Sequence, residues 1–118
     1  IGNLQDITFR AIEVLKSVDL ILAEDTRHTG KLLKHYDIKQ KMVPYHQHNE
    51  HKVMKGFIQQ ILNGISLALV SDAGTPCLSD PGYRIVNLAH KNNIEVLFVL
   101  IFCRLNEFKL KYFKSFLS

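Results

Sequence analysis

Apolar residues recur along this chain with two periods, and the two alternate. Ile7, Ala11, Ile12, Val14, Leu15 and Val18 fall at helical spacing, and the carboxylate of Asp6 is placed to cap the free amides of that first turn. Leu20-Ile21-Leu22-Ala23 is then a continuous apolar run closed by Glu24-Asp25, the pattern of a strand buried on both faces. Thr26 is the expected N-cap of a short helix carrying Leu32, Leu33 and Tyr36. Met42-Val43-Pro44-Tyr45 predicts a weaker strand, confined by Pro44 to an edge or an end. Asn49 is placed to start a third helix with the stripe Val53, Phe57, Ile58, Ile61 and Leu62, and Gly64 stands where a helix-ending glycine belongs. Ile65 to Val70 is the clearest strand. After a turn-rich loop from Ser71 to Ser79, Asp80-Pro81 predicts a helix start, with Ile85, Val86, Leu88 and Ala89 on its apolar side and Asn92-Asn93 at its end. Ile94 to Ile101 is the last predicted strand.

Alternating strands and helices, joined by right-handed crossovers, imply an α/β fold with a parallel sheet flanked by helices. Ligands of such sheets bind beyond the carboxyl ends of the strands. Two polar segments fall there: Glu24-Asp25-Thr26-Arg27-His28 and Ser71 to Asp80. Ile1-Gly2-Asn3 reads as the end of a turn, so a first strand is expected to belong before Ile1 and to be missing here.

Composition narrows the field. The chain has 118 residues, 47% of them hydrophobic, enough for one small domain or part of a larger protein. No apolar run approaches the length that spans a bilayer, so no membrane association is expected of the body. Cys77 and Cys103 make neither a disulfide framework nor a metal motif, and no metal site is expected. With no secretory signal in view, a reducing cytoplasm is the expected compartment. The formal charge of +4 is concentrated late: Arg104, Lys109, Lys111 and Lys114 face only Glu107 after residue 103. The body therefore gives no general electrostatic case for nucleic-acid binding.

Four motifs in register carry a resemblance. They are Ile1-Gly2-Asn3-Leu4 with Asp6-Ile7-Thr8; Ala23-Glu24-Asp25-Thr26-Arg27-His28-Thr29; Tyr45-His46 with His48-Asn49-Glu50; and Ala68 to Pro76 followed by Ser79-Asp80-Pro81-Gly82-Tyr83. Together they resemble the tetrapyrrole methylase superfamily over roughly residues 1–100. The second and third motifs are similar to the branch that methylates a cytidine 2′-hydroxyl in 16S rRNA of the bacterial small ribosomal subunit. The resemblance implies a two-domain homodimer with S-adenosylmethionine in the cleft between the domains. It identifies residues 1–101 as the N-terminal domain, with the C-terminal domain absent.

Two departures are large, the missing second domain and the sequence after the last strand. Where the family continues with a Pro-Gly-Pro-Ser-Ala turn, this chain has Leu100 to Asn106, and residues 102–118 read as a divergent tail of the kind a frameshift leaves. Leu105, Phe108, Tyr112, Phe113, Phe116 and Leu117 of that tail fall at near-helical spacing. A membrane-surface helix is one reading; accidental sequence with exposed aromatics is the preferred one. A smaller departure is Cys77, where relatives carry a small residue such as glycine.

The resemblance assigns methyl-donor binding to Gly2, Asn3, Ser71, Asp72, Ala73, Gly74, Thr75 and Pro76. Gly74 lets a ligand approach the backbone closely, and Thr75 offers a hydroxyl. Taken alone, the same loop is an ordinary strand-to-helix turn, and Asp72 an Asx-turn. Glu24, Asp25, Arg27, His28 and His46 are the candidates for the RNA side. Arg27 suits phosphate or ribose through its fork of donors, or simply neutralises Glu24 and Asp25. No single catalytic residue stands out, and transfer from a sulfonium needs alignment more than acid–base help. The expected activity is 2′-O-ribose methylation, with this chain an inactive part of the enzyme. A methylase for a tetrapyrrole or other small molecule, and a non-enzymatic remnant, are the alternatives.

Overall fold

The computed structural model describes residues 7–72, 82–101 and 108–115. Among them the order is α1 (Phe9–Ser17), β1 (Leu20–Ala23), α2 (Thr26–His35), β2 (Met42–Pro44), α3 (Glu50–Leu62), β3 (Leu67–Asp72), α4 (Gly82–Lys91), β4 (Ile94–Val99) and β5 (Phe108–Ser115). The strands form one sheet in the order β2-β1-β3-β5-β4. β1 pairs parallel with β2 and β3, as the alternation predicts. β5 runs antiparallel to both β3 and β4. Four strands thus point one way, and the fifth is inserted against them.

Helices cover both faces, and strand alternation separates the two resulting cores. Ile21, Ala68, Val70 and Leu110 pack with Ala11, Val14 and Leu15 of α1 and Leu32 and Leu33 of α2. Leu20, Leu22, Leu67, Leu69 and Phe113 face Phe57, Ile58 and Ile61 of α3 and Ile85 and Ala89 of α4. This double cover is why the four residues of β1 are all apolar and all buried.

The caps refine the expected boundaries. Thr8, not Asp6, caps α1: its side chain accepts from the Ala11 amide, and Asp6 lies outside the described residues. Thr26 is the first residue of α2 rather than its cap, because Asp25 precedes it and accepts from the amides of Arg27 and His28 at 3.0 and 3.3 Å. A carboxylate reaches two amides with full charge, which a hydroxyl does not match. Asn49 does occupy the N-cap position of α3, but its side chain makes no cap bond. It accepts instead from the His46 amide and donates to the Pro44 carbonyl, binding the preceding turn.

Gly64 ends α3 as expected, with φ +103°. Gly64 N–H donates to Ile61 and Ile65 N–H to Gln60, the paired bonds of a Schellman motif. Asp37 at φ 54° repeats the arrangement after α2, where Asp37 N–H donates to Lys34 and Ile38 N–H to Leu33. The helix start expected at Asp80-Pro81 lies outside the described residues; α4 is seen from Gly82.

The helical reading of the tail is overturned by β5. Leu110 and Phe113 are buried, and Tyr112 packs against the core of the α1/α2 face. Residues two apart therefore share a face, the period of a strand. The sequence misleads because aromatics at 108, 112 and 113 satisfy both periods. Leu105, Phe116 and Leu117 lie outside the described residues.

Candidate functional site

The carboxyl ends of β1, β2 and β3 meet on one edge of the sheet. Ala23 is in register with Pro44 on one side and Val70 on the other. Beyond these pairs the ladder takes one more step: Tyr45 N–H donates to the Ala23 carbonyl, and Glu24 N–H to that of Val70. Glu24, Tyr45 and Ser71 are thus brought side by side from three separate motifs. At β1 the polar segment begins directly where the apolar run ends, whereas β3 carries its first two polar residues, Ser71 and Asp72, within the strand.

Ser71 is 2% exposed, and its Oγ has no hydrogen-bond partner among the described residues. A buried hydroxyl left without any partner costs about 1–3 kcal/mol. Asp72 follows as the last residue of β3, opposite Phe108. Ala73, Gly74, Thr75 and Pro76, like Gly2 and Asn3, lie outside the described residues.

The segment after β2 is held by a buried latch. Tyr45, fully buried, donates its hydroxyl to Glu50 Oε2 at 2.7 Å, and Glu50 is itself 4% exposed. The Tyr45 ring lies 6.0 Å from that of Phe57, which fixes the phenol from the α3 side. Burial first, then the Glu50 carboxylate, pushes the Tyr45 hydroxyl pKa well above its ordinary value, against a smaller pull from Arg84 of α4. Between these two residues the chain turns tightly: the His46 carbonyl accepts from Asn49 and Glu50. His46 is half-buried, with its ring 5.8 Å from that of His48. Its Nδ1 is buried without a partner among the described residues.

The segment after β1 divides by role. Asp25 is committed to capping α2, and the hydrogen bond from the His28 amide holds its carboxyl below the ordinary value. Desolvation opposes this; the Arg27 amide and the charges of Arg27 and His28 add to it. Arg27 is exposed, whereas Glu24 and His28 are half-buried. The sequence places Tyr45 and Glu50 in one motif without giving either a role, and it does not single out Arg84. No local signal marks a tyrosine and a glutamate five residues apart as a buried pair, since the turn that joins them is set by Asn49.

Residues 1–99 match the model of the Tetrapyrrole (Corrin/Porphyrin) Methylases. The chain belongs to this family. Its relatives among the tetrapyrrole methylases include proteins named ribosomal RNA small subunit methyltransferase I. That of Halalkalibacterium halodurans is 55% identical over 97 residues, covering 82% of this chain and 34% of the relative. Those of Vibrio cholerae and Synechocystis are each 53% identical over 97 residues, covering 82% of this chain and 34% and 35% of their own lengths. The chain thus spans about a third of the curated relatives it matches, and corresponds to the N-terminal part of this tetrapyrrole methylase design.

Proposed function

We propose that residues 1–101 are the donor-binding domain of an S-adenosylmethionine-dependent methyltransferase that acts on a ribose 2′-hydroxyl of 16S rRNA. The observation that carries this reading is the convergence of Glu24, Tyr45-His46 and Ser71 at one edge of the sheet. The names of the relatives supply the substrate class.

The described part of the site suits the donor. Ser71 Oγ is a buried hydroxyl at the head of the loop, lacking a described partner and able to donate or accept. Ser71 and Asp72, with Ala73 to Pro76 and Gly2-Asn3, would hold the donor. Bound there, it supplies an electrophilic methyl group. The chain's own residues position and exclude water. The Tyr45–Glu50 latch fixes the turn that presents His46, while Arg27, exposed at the start of α2, is available to phosphate. His46, Glu24 and His28 line the RNA side, and Asp25 orders the helix that carries Arg27. The complete enzyme works as a cytoplasmic homodimer, and this chain alone is inactive because it spans only part of the relatives' length.

Calorimetric titration of the 118-residue chain with S-adenosylmethionine tests the donor site. Binding heat supports it, and none from a chain with native near-ultraviolet dichroism refutes it. Incubation with small ribosomal subunits and labelled donor tests the rest. Methyl transfer by this chain alone overturns the inactivity, and transfer by the complete relative to a tetrapyrrole but not to rRNA overturns the substrate.

A further inference from the structure

Residues 1–103 are nearly balanced in charge, but the balance is not local. Between residues 27 and 41 stand five cations, Arg27, Lys31, Lys34, Lys39 and Lys41, against the single carboxylate of Asp37. The other residues up to 103 carry six cations against nine carboxylates. All five cations of the first group are exposed, and among the described residues none of them is in an ion pair. The near-neutral total therefore hides a basic patch, because carboxylates elsewhere in the chain cancel it in the sum.

α2 arranges the patch. Arg27, Lys31 and Lys34 follow one another at i, i+4 and i+7, so they form one stripe along the helix. Thr29, Leu32 and Leu33 hold the opposite side in the core. The stripe begins with Arg27 at the carboxyl end of β1, beside the site, and reaches Lys34 roughly 10 Å further on, at about 1.5 Å per residue. Helix stability does not explain the row. Lys34 suits the negative end of the helix dipole, but Arg27, in the first turn, opposes it. Where the stripe ends, a cleft of about 350 Å³ opens between α2 and β2. Leu33, Ile38, Met42 and the bare backbone of Gly30 floor it, and Lys34 and Lys39 supply charge at its walls.

A row of cations that ends at an apolar cleft matches one ligand chemistry: a chain of phosphates carrying flat, weakly polar rings. A lipid surface fits less well, because the exposed large hydrophobics are Phe9, Leu62, Tyr83, Phe98 and Leu100, none of them on α2. We propose that the stripe from Arg27 to Lys34 is a track for a single strand of RNA. It leads the phosphates away from the site to the Lys34–Lys39 cleft, which takes one unstacked base. The track rests on the rRNA substrate proposed above and adds a docking surface remote from the reacting ribose.

Fluorescence anisotropy of a labelled single-stranded RNA of about twelve nucleotides, titrated with the 118-residue chain over a range of salt without methyl donor, tests the track. Lys31→Gln/Lys34→Gln is expected to weaken binding by roughly tenfold at low salt. It should also flatten the slope of log affinity against log salt by roughly 1.4, about 0.7 for each phosphate lost. Lys52→Gln/Lys55→Gln, which removes two exposed lysines of α3, is expected to bind more nearly like the parent. Gly30→Leu fills the cleft, since a Cβ there meets only Met42 Cε, at 3.5 Å. It is expected to keep or raise Tm, as leucine is the better helix former, and to cost roughly fivefold in affinity with the salt slope unchanged. No binding by the parent at low salt overturns the track, as does an equal loss from the α2 and α3 pairs. Tighter binding to phosphatidylserine–phosphatidylcholine vesicles than to RNA overturns the choice of partner, and unchanged affinity in Gly30→Leu overturns the base-binding cleft. Because donor is absent, loss of the track leaves the calorimetric donor titration standing, and failure of that titration leaves the track standing.

Discussion

The hydroxyl of Tyr45 donates a 2.7 Å hydrogen bond to Oε2 of Glu50, and neither residue is more than 4% exposed. The bond joins the end of β2 to the first turn of α3 and so closes the turn that carries His46. A carboxylate buried this deeply depends on its donors. Tyr45→Phe removes one and leaves the charge short, for an expected loss of about 1.5–3 kcal/mol. Glu50→Gln, which keeps an acceptor, is expected to lose less. Urea denaturation of the three proteins measures the order; a Phe variant as stable as the parent denies the bond any structural role.

The same pair sets an alkaline limit. Burial and the Glu50 carboxylate raise the folded pKa of Tyr45 above its ordinary value of 10.0. A raised folded value means that Tyr45's contribution is fully present below the unfolded pKa. It is lost as pH rises from there toward the folded one, because the unfolded chain releases the proton first. Stability of the parent should therefore fall more steeply above about pH 10 than that of Tyr45→Phe. Melting curves at increasing alkaline pH test this, and parallel declines would contradict it.

At the start of α2, the Asp25 carboxylate accepts from two amides, and its pKa is lowered. A lowered folded value gives stability that is present above the unfolded pKa and lost as pH falls through the folded one. Asp25→Ala is expected to lower Tm by a few degrees at neutral pH, and Asp25→Asn by less, since an amide oxygen still caps. The gap between the parent and the Asp25→Asn variant should close below about pH 4. A gap that persists unchanged in acid would show that charge contributes nothing to this cap.

How much of this was legible in the sequence follows from what each feature depends on. β1 and β3 were readable because burial on both faces forces a continuous apolar run, as in Leu20 to Ala23. The Schellman end of α3 was readable because φ +103° at Gly64 asks for glycine. Thr8 and Asp25 were each missed as caps because Asp6 and Thr26 are equally good caps by type. The choice is made by where the helix docks, which Thr8 settles through its bond to Ile101. β5 was missed for a different reason. Its burial comes from a gap between β3 and β4 that no local pattern announces. At the site, the adjacency of Glu24, Tyr45 and Ser71 follows from strand order, and the latch from a turn geometry that Asn49 imposes.

Ser71 gives a prediction in which stability and binding move apart. Its hydroxyl is buried without a partner among the described residues, so Ser71→Ala removes an unsatisfied group and little packing. Without donor, Tm should be unchanged or slightly higher, since losing an unpaired buried hydroxyl relieves up to about 1–3 kcal/mol. With S-adenosylmethionine, the same change should weaken binding by roughly five- to tenfold, the worth of one hydrogen bond. It should also shrink the thermal shift the donor confers. A structural role would give the reverse, a lower Tm with affinity intact, because the lost partner would then lie within the protein. Calorimetry and melting on the same variant separate the two, and affinity loss with stability retained is the result that places this hydroxyl on the donor.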